Sequence, residues 1–279
     1  MEGKEMVEFL KAILFGIVEG ITEWLPISST GHMILLNEFV RLKVTEEFWE
    51  MFLVVIQLGA ILAVVLLFWK KLFPIKADNG RYTLDHSIMN MWYKVIVACI
   101  PAAVVGVFFD DFLEKYLYNY VTVSIALIVF GIAFLLIEEK NKNRTASINT
   151  LGELTLKTAA LIGIFQLIAA VFPGTSRSGA TILGALLIGV SRTVAAEFTF
   201  FLAIPVMLGA SMLKILKFGF LFTGKETGLL IAGMATAFLV SVFVIKFLMD
   251  YIKKHDFKVF GWYRIALGGL VLLYFGIFA

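Results

Sequence analysis

Long apolar runs dominate this chain and are separated by short polar segments. Six uninterrupted runs are each close to the ~20 residues that a helix needs to cross a bilayer. They lie at about 48–69, 92–109, 116–137, 194–214, 228–252 and 259–278. This pattern predicts six transmembrane helices.

Two further pairs of apolar segments are each interrupted by a proline and a cluster of hydroxyl residues. The first pair lies at about 8–25 and 27–42, and the second at about 154–172 and 176–190. Broken backbone at membrane depth is tolerated only where it is buried in protein or lines a cavity. We therefore expect each pair to form a re-entrant helical hairpin. The alternative is two full crossings per pair, which gives about ten spans.

The two interrupted pairs share a sequence pattern. The chain reads GIVEGITEWLPISSTGH around Pro26 and GIFQLIAAVFPGTSRSG around Pro173. In both stretches a Gly-Ile pair opens an apolar run that ends in proline, and hydroxyl residues follow. This pattern predicts an internal repeat, roughly 8–137 and 154–278, within a single membrane domain of residues 1–279. Repeats that hold broken segments point to a site at the repeat interface.

The arrangement of spans predicts how the two repeats face each other. One hairpin plus three spans in each repeat inverts the second copy relative to the first. The expected fold is thus an all-α polytopic membrane protein with about six transmembrane helices and two re-entrant hairpins in an inverted-topology repeat. One side of this arrangement holds thirteen lysines and arginines and the other eight. The positive-inside rule places the first side in the cytoplasm and both termini outside.

Composition supports the membrane assignment and excludes other classes. The chain is 60% hydrophobic and 16% charged, and its mean hydropathy is +0.93. The expected surrounding is therefore the lipid bilayer. A formal net charge of +3 is too small to suggest a nucleic-acid partner. Cys99 is the single cysteine, so no intrachain disulfide can form.

The segment PGTSRSGAT, which ends at Thr181, places an arginine and hydroxyls in apolar surroundings. A guanidinium at membrane depth is costly and normally faces a polar cavity with an anionic partner. Arg177 is therefore predicted to bind phosphate, within an anion cradle at a helix N-terminus. The alternative is a polar loop whose arginine snorkels to a lipid headgroup. The residues predicted to contact substrate here are Gly174, Thr175, Ser176, Ser178 and Thr181.

Two carboxylates precede the first proline. Glu19 and Glu23 are four residues apart, so on a helix they share one face. Unpaired carboxylates there would repel, so they call for a shared proton, for Arg177 between them, or for a divalent cation such as Mg²⁺ or Ca²⁺. We predict both glutamates as metal ligands. The alternative is a packing role for one protonated glutamic acid.

Hydroxyls and an imidazole follow the first proline. Ser28, Ser29 and Thr30 stand where the return half-helix should begin, and His32 lies three residues after Ser29. A hydroxyl and an imidazole at this spacing can form a nucleophile and base pair, and His32 can alternatively be phosphorylated itself. The predicted catalytic residues are Glu23, Ser29, His32 and Arg177. Further predicted substrate contacts are Ser28, Thr30 and Gln57.

These motifs resemble those of the bacterial undecaprenyl-pyrophosphate phosphatase family, also known as the bacitracin-resistance BacA or UppP family. The resemblance covers almost the whole chain and is carried by EGITEWLPISSTGH (Glu19 to His32), VIQLGAILAVV (Val55 to Val65), PGTSRSGAT (Pro173 to Thr181) and GVSRTVAAEF (Gly189 to Phe198). It implies hydrolysis of undecaprenyl pyrophosphate to the lipid carrier of cell-wall synthesis, with divalent-metal dependence. It also implies a site that opens to the outer side of the bacterial plasma membrane. The site residues that it implies are Glu19, Glu23, Ser29, His32, Ser176 and Arg177.

Two functions of other classes also fit the sequence. A transporter or flippase of the lipid carrier has the same architecture of inverted repeats and broken helices, and a non-catalytic lipid-binding protein would need no chemistry. The nucleophile stays open between Ser29, His32 and a metal-activated water. The sequence does not specify an oligomeric state, and a homodimer is compatible with it.

Overall fold

Helices account for nearly all regular structure in residues 2–78 and 81–278, the part of the chain that this computed structural model describes. In chain order they are α1 (Glu2–Thr22), α2 (Ser29–Phe39), α3 (Glu46–Val55), α4 (Gln57–Leu67), α5 (Trp69–Leu72), α6 (His86–Leu117), α7 (Tyr120–Asn141), α8 (Leu156–Val171), α9 (Arg177–Leu187), α10 (Arg192–Phe218), α11 (Gly224–Tyr251) and α12 (Lys258–Phe278).

The six predicted spans are confirmed. In the described part of the chain, six segments are long and apolar enough to cross a membrane: Glu46–Leu67, His86–Phe109, Tyr120–Asn141, Arg192–Phe218, Gly224–Tyr251 and Lys258–Phe278. The first of them comprises α3 and α4. Only Ile56 separates these two helices, and its N–H still donates to the Phe52 carbonyl at 3.0 Å.

Each interrupted pair forms two helices joined by a turn. The first turn, residues 23–28, joins α1 to α2, and the second turn, residues 172–176, joins α8 to α9. α2 and α9 each have 11 residues, which is too short to cross a bilayer alone. The two helices of each pair also contact one another. Each interrupted pair is therefore a helical hairpin.

Corresponding helices of the two halves of the chain make corresponding contacts. α1 packs along α11, and α8 packs along α6. α7 and α12, which end the two predicted repeats, pack on each other. This pairing is the one expected of an internal repeat. The inverted orientation of the two halves stays a prediction.

Burial is greatest around the second hairpin. Residues 178–186 of α9 are all buried, and they lie in a core shared with α4, α6 and α10. Trp24 of the first turn is also fully buried and packs edge-to-face on Phe200 of α10, with ring centroids 5.3 Å apart. Both turns are therefore anchored in the interior, where packing restricts their movement.

A small sheet departs from the all-helical expectation. Strand β1 (Ile75–Asp78) pairs antiparallel with β2 (Arg81–Leu84), and Asp78 lies opposite Arg81. This register leaves Asn79 and Gly80 between the strands, and Asn-Gly favours a two-residue hairpin turn. Asn79 and Gly80 themselves lie outside the described residues. The Asn-Gly pair is the sequence signal that could have predicted the hairpin.

Candidate active site

The first turn carries a hydroxyl next to a carboxylate. Glu19 lies in the last turn of α1, and the Glu23 N–H donates to its carbonyl at 3.0 Å. The helical hydrogen bonding thus continues as far as Glu23. Ser29 opens α2, and its Oγ donates a hydrogen bond to Glu23 Oε2 at 2.9 Å. The hydroxyl therefore has an adjacent group that can accept its proton, as an activated nucleophile requires.

Arg177 opens α9 and joins the second turn to the first. Its Nη2 donates to Glu23 Oε1 at 3.0 Å, and its Nη1 donates to the Thr199 carbonyl at 2.9 Å. The Arg177 side chain is 12% exposed and that of Glu23 is 8% exposed. Glu23 thus accepts from the arginine with one oxygen and from Ser29 with the other. The three side chains form one chain of charge-assisted contacts, in which Glu23 is buried and Ser29 and Arg177 are partly buried.

Both turns end in a serine with left-handed backbone geometry. The φ angle is 73° at Ser28 and 68° at Ser176. Ser176 Oγ accepts the Gly179 N–H at 3.2 Å and so caps α9. Ser28 Oγ is buried and has no hydrogen-bond partner among the described residues. Non-glycine residues seldom adopt this conformation, and such strain clusters at functional sites.

Gly174 lets the second turn approach α7 closely. Its φ angle is 89°, and a Cβ atom at this position would lie 2.5 Å from the Val123 carbonyl oxygen. Only glycine can combine this backbone conformation with so close an approach.

A cavity of about 570 Å³ opens between the two turns. This volume is typical of small-molecule sites, which span about 300–1,000 Å³. Its lining is polar at the turns, whereas α3, α6 and α10 contribute apolar side chains such as Leu53, Leu113 and Val206. The predicted site residues that line it are Glu19, Glu23, Ser29, Thr30, Gln57, Gly174, Ser176 and Arg177.

Other predicted substrate contacts lie behind the cavity wall. Ser178 Oγ donates to the Glu23 carbonyl at 3.0 Å and so ties the second hairpin to the first turn. Thr181 Oγ1 donates to the Arg177 carbonyl at 2.9 Å. Thr175 is fully buried, and its hydroxyl has no partner in the described part of the chain. In this structure Ser178 and Thr181 donate to backbone carbonyls, and none of the three residues is among those that line the cavity.

His32 contacts the first turn but not Ser29. Its Nδ1 lies 2.7 Å from the Ser28 carbonyl oxygen, and its Nε2 lies 2.7 Å from the Tyr263 hydroxyl. A carbonyl can only accept, so in the neutral ring Nδ1 carries the proton and Nε2 accepts from the tyrosine. The side chain that accepts from Ser29 is therefore that of Glu23. The sequence pattern did not single out Tyr263.

Glu19 is a further buried group of the site with an unsatisfied atom among the described residues. It is 1% exposed, and its Oε1 has no hydrogen-bond partner among the described residues. The negative charge of Glu23 repels the Glu19 carboxylate, and the positive charge of Arg177 attracts it. A buried carboxylate oxygen without a partner is unfavourable, so it calls for a proton or a cation.

The donor set of the site fits the predicted Mg²⁺ or Ca²⁺. Hard divalent cations favour carboxylate oxygens, and Mg²⁺ is often held by one or two carboxylates together with phosphate oxygens of the substrate. Within residues 2–78 and 81–278, no group of three or more His, Cys, Asp or Glu side chains could hold a metal ion. Glu19 and Glu23 would therefore share such a cation with oxygens of a bound ligand.

The sequence pattern did not single out Arg264, which is fully buried on α12. Its guanidinium donates to the Pro26 carbonyl of the first turn at 3.2 Å. It also donates to the Gly174 and Thr175 carbonyls of the second turn, at 3.0 and 2.7 Å. A signal was present, because an arginine inside an apolar membrane span is by default a functional-site candidate.

Six described segments long and apolar enough to span a membrane, together with a carboxylate, a hydroxyl and an arginine on one cavity, define a class of protein. It is a polytopic helical membrane protein whose internal site suits a reaction on an anionic group such as phosphate. The model of the family described as bacitracin resistance protein BacA matches residues 12–270. The chain belongs to this family.

Curated relatives match over nearly the full length. The chain is 65% identical to an undecaprenyl-diphosphatase of Desulfitobacterium hafniense over 270 residues, 97% of both chains. It is 66% identical over 271 residues to undecaprenyl-diphosphatase 1 of Clostridium acetobutylicum, covering 97% of this chain and 98% of the relative. It is 61% identical to an undecaprenyl-diphosphatase of Enterococcus faecalis, covering 96% and 98%. The family resemblance carried by the motifs is confirmed.

Proposed function

We propose that this protein hydrolyses undecaprenyl pyrophosphate to undecaprenyl phosphate and inorganic phosphate, and so recycles the lipid carrier of cell-wall synthesis. The observation that carries the proposal is the contact of Ser29, Glu23 and Arg177 across the two turns. A hydroxyl, a carboxylate and a guanidinium line the same cavity, and this arrangement supports the proposal. The names of the relatives support the substrate and do not favour a transporter.

Arg177 and the N-terminus of α9 bind the pyrophosphate in this proposal. The guanidinium can contact two phosphate oxygens at once, which gives both charge neutralisation and orientation. The N-terminus of a helix adds partial positive charge and free N–H groups, both of which favour an anion. The apolar wall from α3, α6 and α10 then accommodates the isoprenoid chain next to the bilayer.

Ser29 is the nucleophile that the contacts favour. Its Oγ attacks the terminal phosphorus, the bond from that phosphorus to the bridging oxygen breaks, and undecaprenyl phosphate leaves. The proton of Ser29 passes to Glu23, and water then hydrolyses the phosphoserine. As a phosphate engages Arg177, Glu23 loses part of its cationic partner and becomes a better proton acceptor. Both nitrogens of His32 are engaged elsewhere.

Glu19 and Glu23 would hold the divalent cation. When bound there, Mg²⁺ or Ca²⁺ would shield the phosphate charge and polarise its oxygens. The part of Glu19 is to present Oε1, the acceptor without a partner, towards the cavity that it lines.

Phosphate release tests the proposal directly. Full-length protein purified in detergent should release inorganic phosphate from farnesyl pyrophosphate, and Ser29→Ala should lower the rate by at least about 100-fold. The control is Ser124→Ala on α7, because this serine is not among the residues that line the cavity and its buried hydroxyl has no partner among the described residues. This control should keep its activity. A folded wild type that releases no phosphate would instead favour lipid transport or lipid binding.

The protein is a multi-pass membrane protein by its spans and family. We further propose that it lies in the bacterial inner membrane with the site facing the outer side, as the excess of lysine and arginine on the opposite side supports. Single cysteines placed at 140–150 in a Cys99→Ala variant should resist an impermeant thiol reagent in intact cells, whereas a cysteine near the C-terminus should react. The reverse labelling pattern would invert this topology.

A further inference from the structure

Arg264 is a buried cation that no carboxylate neutralises in the described part of the chain. Its Nε has no hydrogen-bond partner in that part of the chain, and its guanidinium carbon lies 5.8 Å from the centroid of the Phe130 ring. Burying an unpaired charge is unfavourable, and a neutral donor would hold the same carbonyls with less loss of solvation. The positive charge itself therefore calls for an explanation.

The three carbonyls that Arg264 contacts belong to both turns. Pro26 stands three residues before Ser29, and Thr175 stands two residues before Arg177. The guanidinium thus fixes the distance between the starts of the two half-helices. This distance decides whether Ser29 and Arg177 can contact the same phosphate, and errors of about 1 Å in such positioning can cost about 100-fold in rate.

The bond to Thr175 also sets the direction of the next N–H group. A trans peptide is planar, so its C=O and N–H bonds point in opposite directions, and no cis peptide occurs among the described residues. The Thr175 carbonyl points at Arg264, from which it accepts at 2.7 Å. The N–H of Ser176 must therefore point away from Arg264, and Ser176 lines the cavity. Donors aimed in advance at developing negative charge are among the largest contributors to catalysis.

We propose that Arg264 is a positioning residue of this site. Its planar guanidinium holds the two turns at a fixed separation and orients the Thr175 carbonyl so that the Ser176 N–H faces the bound phosphate. Its positive charge, one layer behind the cavity, also favours a multiply charged anion. The inference rests on the proposed hydrolase function and adds to it a residue outside both sequence motifs.

Gly179→Ala tests the inference without removing the guanidinium. An added Cβ would lie 2.9 Å from Arg264 Nη1 and 3.2 Å from Ser176 Cβ, so the mobile end of the arginine must shift. Alanine favours a helix more than glycine does, so α9 should keep its stability. We expect kcat on farnesyl pyrophosphate to fall by about tenfold or more. The matched control is Gly269→Ala on α12, where a Cβ meets nothing within 4 Å; its kcat should not change.

Arg264→Lys separates the charge from the geometry. Lysine keeps the charge, but a single ammonium lacks the planar fork that contacts both turns. We expect kcat to fall by about 100-fold at an unchanged folded fraction. We also expect inorganic pyrophosphate to inhibit this variant less strongly than the wild type, and to raise its Tm by less. Val271→Ala, which removes packing from a buried position of the same helix, should lower the Tm but leave kcat and pyrophosphate inhibition unchanged.

The outcomes distinguish this inference from the proposed function. If Arg264→Lys and Gly179→Ala keep kcat within about threefold of the wild type, or lose only Tm, the positioning role is refuted and the function stands. If Arg264→Lys does not fold, Gly179→Ala against Gly269→Ala decides the question. If the wild type releases no phosphate, the function fails, and the Tm shift by pyrophosphate still decides whether Arg264 serves an anion site.

Discussion

The two turns share a backbone and differ in chemistry. Each contains a proline, ends in a serine with a φ angle near 70° (73° and 68°), and begins an 11-residue half-helix. The first residue of that half-helix is Ser29 in one hairpin and Arg177 in the other. The first hairpin thus presents a hydroxyl to the cavity, and the second presents a guanidinium.

The helices before the turns differ in the same sense. When the two prolines are aligned, Glu19 and Glu23 correspond to Gln166 and Ala170. Gln166 is buried and donates to the Ala98 carbonyl at 3.5 Å, and Ala170 contributes to the apolar part of the cavity wall. The two carboxylates and the proposed nucleophile lie on one hairpin, and the arginine proposed to bind the anion lies on the other. Neither hairpin alone holds a complete site, so the geometry between them matters as much as either motif.

Glu23→Gln should give the largest loss of activity, because it removes the proposed proton acceptor from the first hairpin, the acidic hairpin that carries Glu19 and Glu23. The amide oxygen still accepts from Arg177, so the protein should stay folded, but the amide cannot take a proton from Ser29. We expect phosphate release to fall by about 10²–10⁴-fold. The control is Glu50→Gln at the cavity wall, where the carboxylate pairs with Lys214 at 3.4 Å and is 45% exposed. A Glu23→Gln enzyme with most of its activity would contradict the base role.

Arg177→Lys should cost about 100-fold in turnover, because a lysine cannot contact phosphate oxygens through a planar fork. The variant should express and fold, which thermal unfolding in detergent would check. The control is Arg192→Lys, since Arg192 pairs with Glu138 outside this cavity. Near-normal turnover of Arg177→Lys would mean that the arginine contacts a lipid headgroup and not the reacting phosphate. The second hairpin would then have no phosphate-binding role.

Removal of divalent cations tests the acidic hairpin from another side. EDTA should lower the activity of the wild type by more than about tenfold, and added Mg²⁺ or Ca²⁺ should restore it. Glu19→Gln should raise the cation concentration for half-maximal activity by at least about tenfold. A chelator-insensitive wild type together with an active Glu23→Gln enzyme would leave Ser29, His32 and Arg177 as the catalytic set.

Much of the fold could be predicted because local patterns carry it. The thickness of a bilayer sets the length of an apolar run, and the run predicted at 259–278 corresponds to the span Lys258–Phe278. Proline followed by hydroxyl residues marked both turns, since proline interrupts a helix and small polar residues begin the next one.

Contacts between distant positions could not be predicted in the same way. Arg264 and Pro26 are 238 residues apart, and their contact depends on how α12 packs against the turns. The spacing of Ser29 and His32 suggested a nucleophile and base pair, yet His32 bonds to Tyr263, 231 residues away. Spacing along one helix predicts which side chains share a face, but it does not predict which partner from another helix comes closer.

The smallest expected effect is a difference in the free energy of unfolding between alanine variants of the two turn serines. Alanine at Ser28 or Ser176 would meet similar left-handed geometry, with φ angles of 73° and 68°, so the backbone strain largely cancels between the two variants. Ser176→Ala also loses the cap on the Gly179 N–H, and the loss of such a cap typically costs about 0.5–2 kcal/mol. Ser28→Ala removes a buried hydroxyl without a partner in the described residues, a change that is close to neutral. In detergent without phosphate, we expect the free energy of unfolding of Ser176→Ala to be lower than that of Ser28→Ala by about 1 kcal/mol. Equal stabilities would mean that the two serines serve their half-helices alike, and that the hairpins differ only in the side chains that face the cavity.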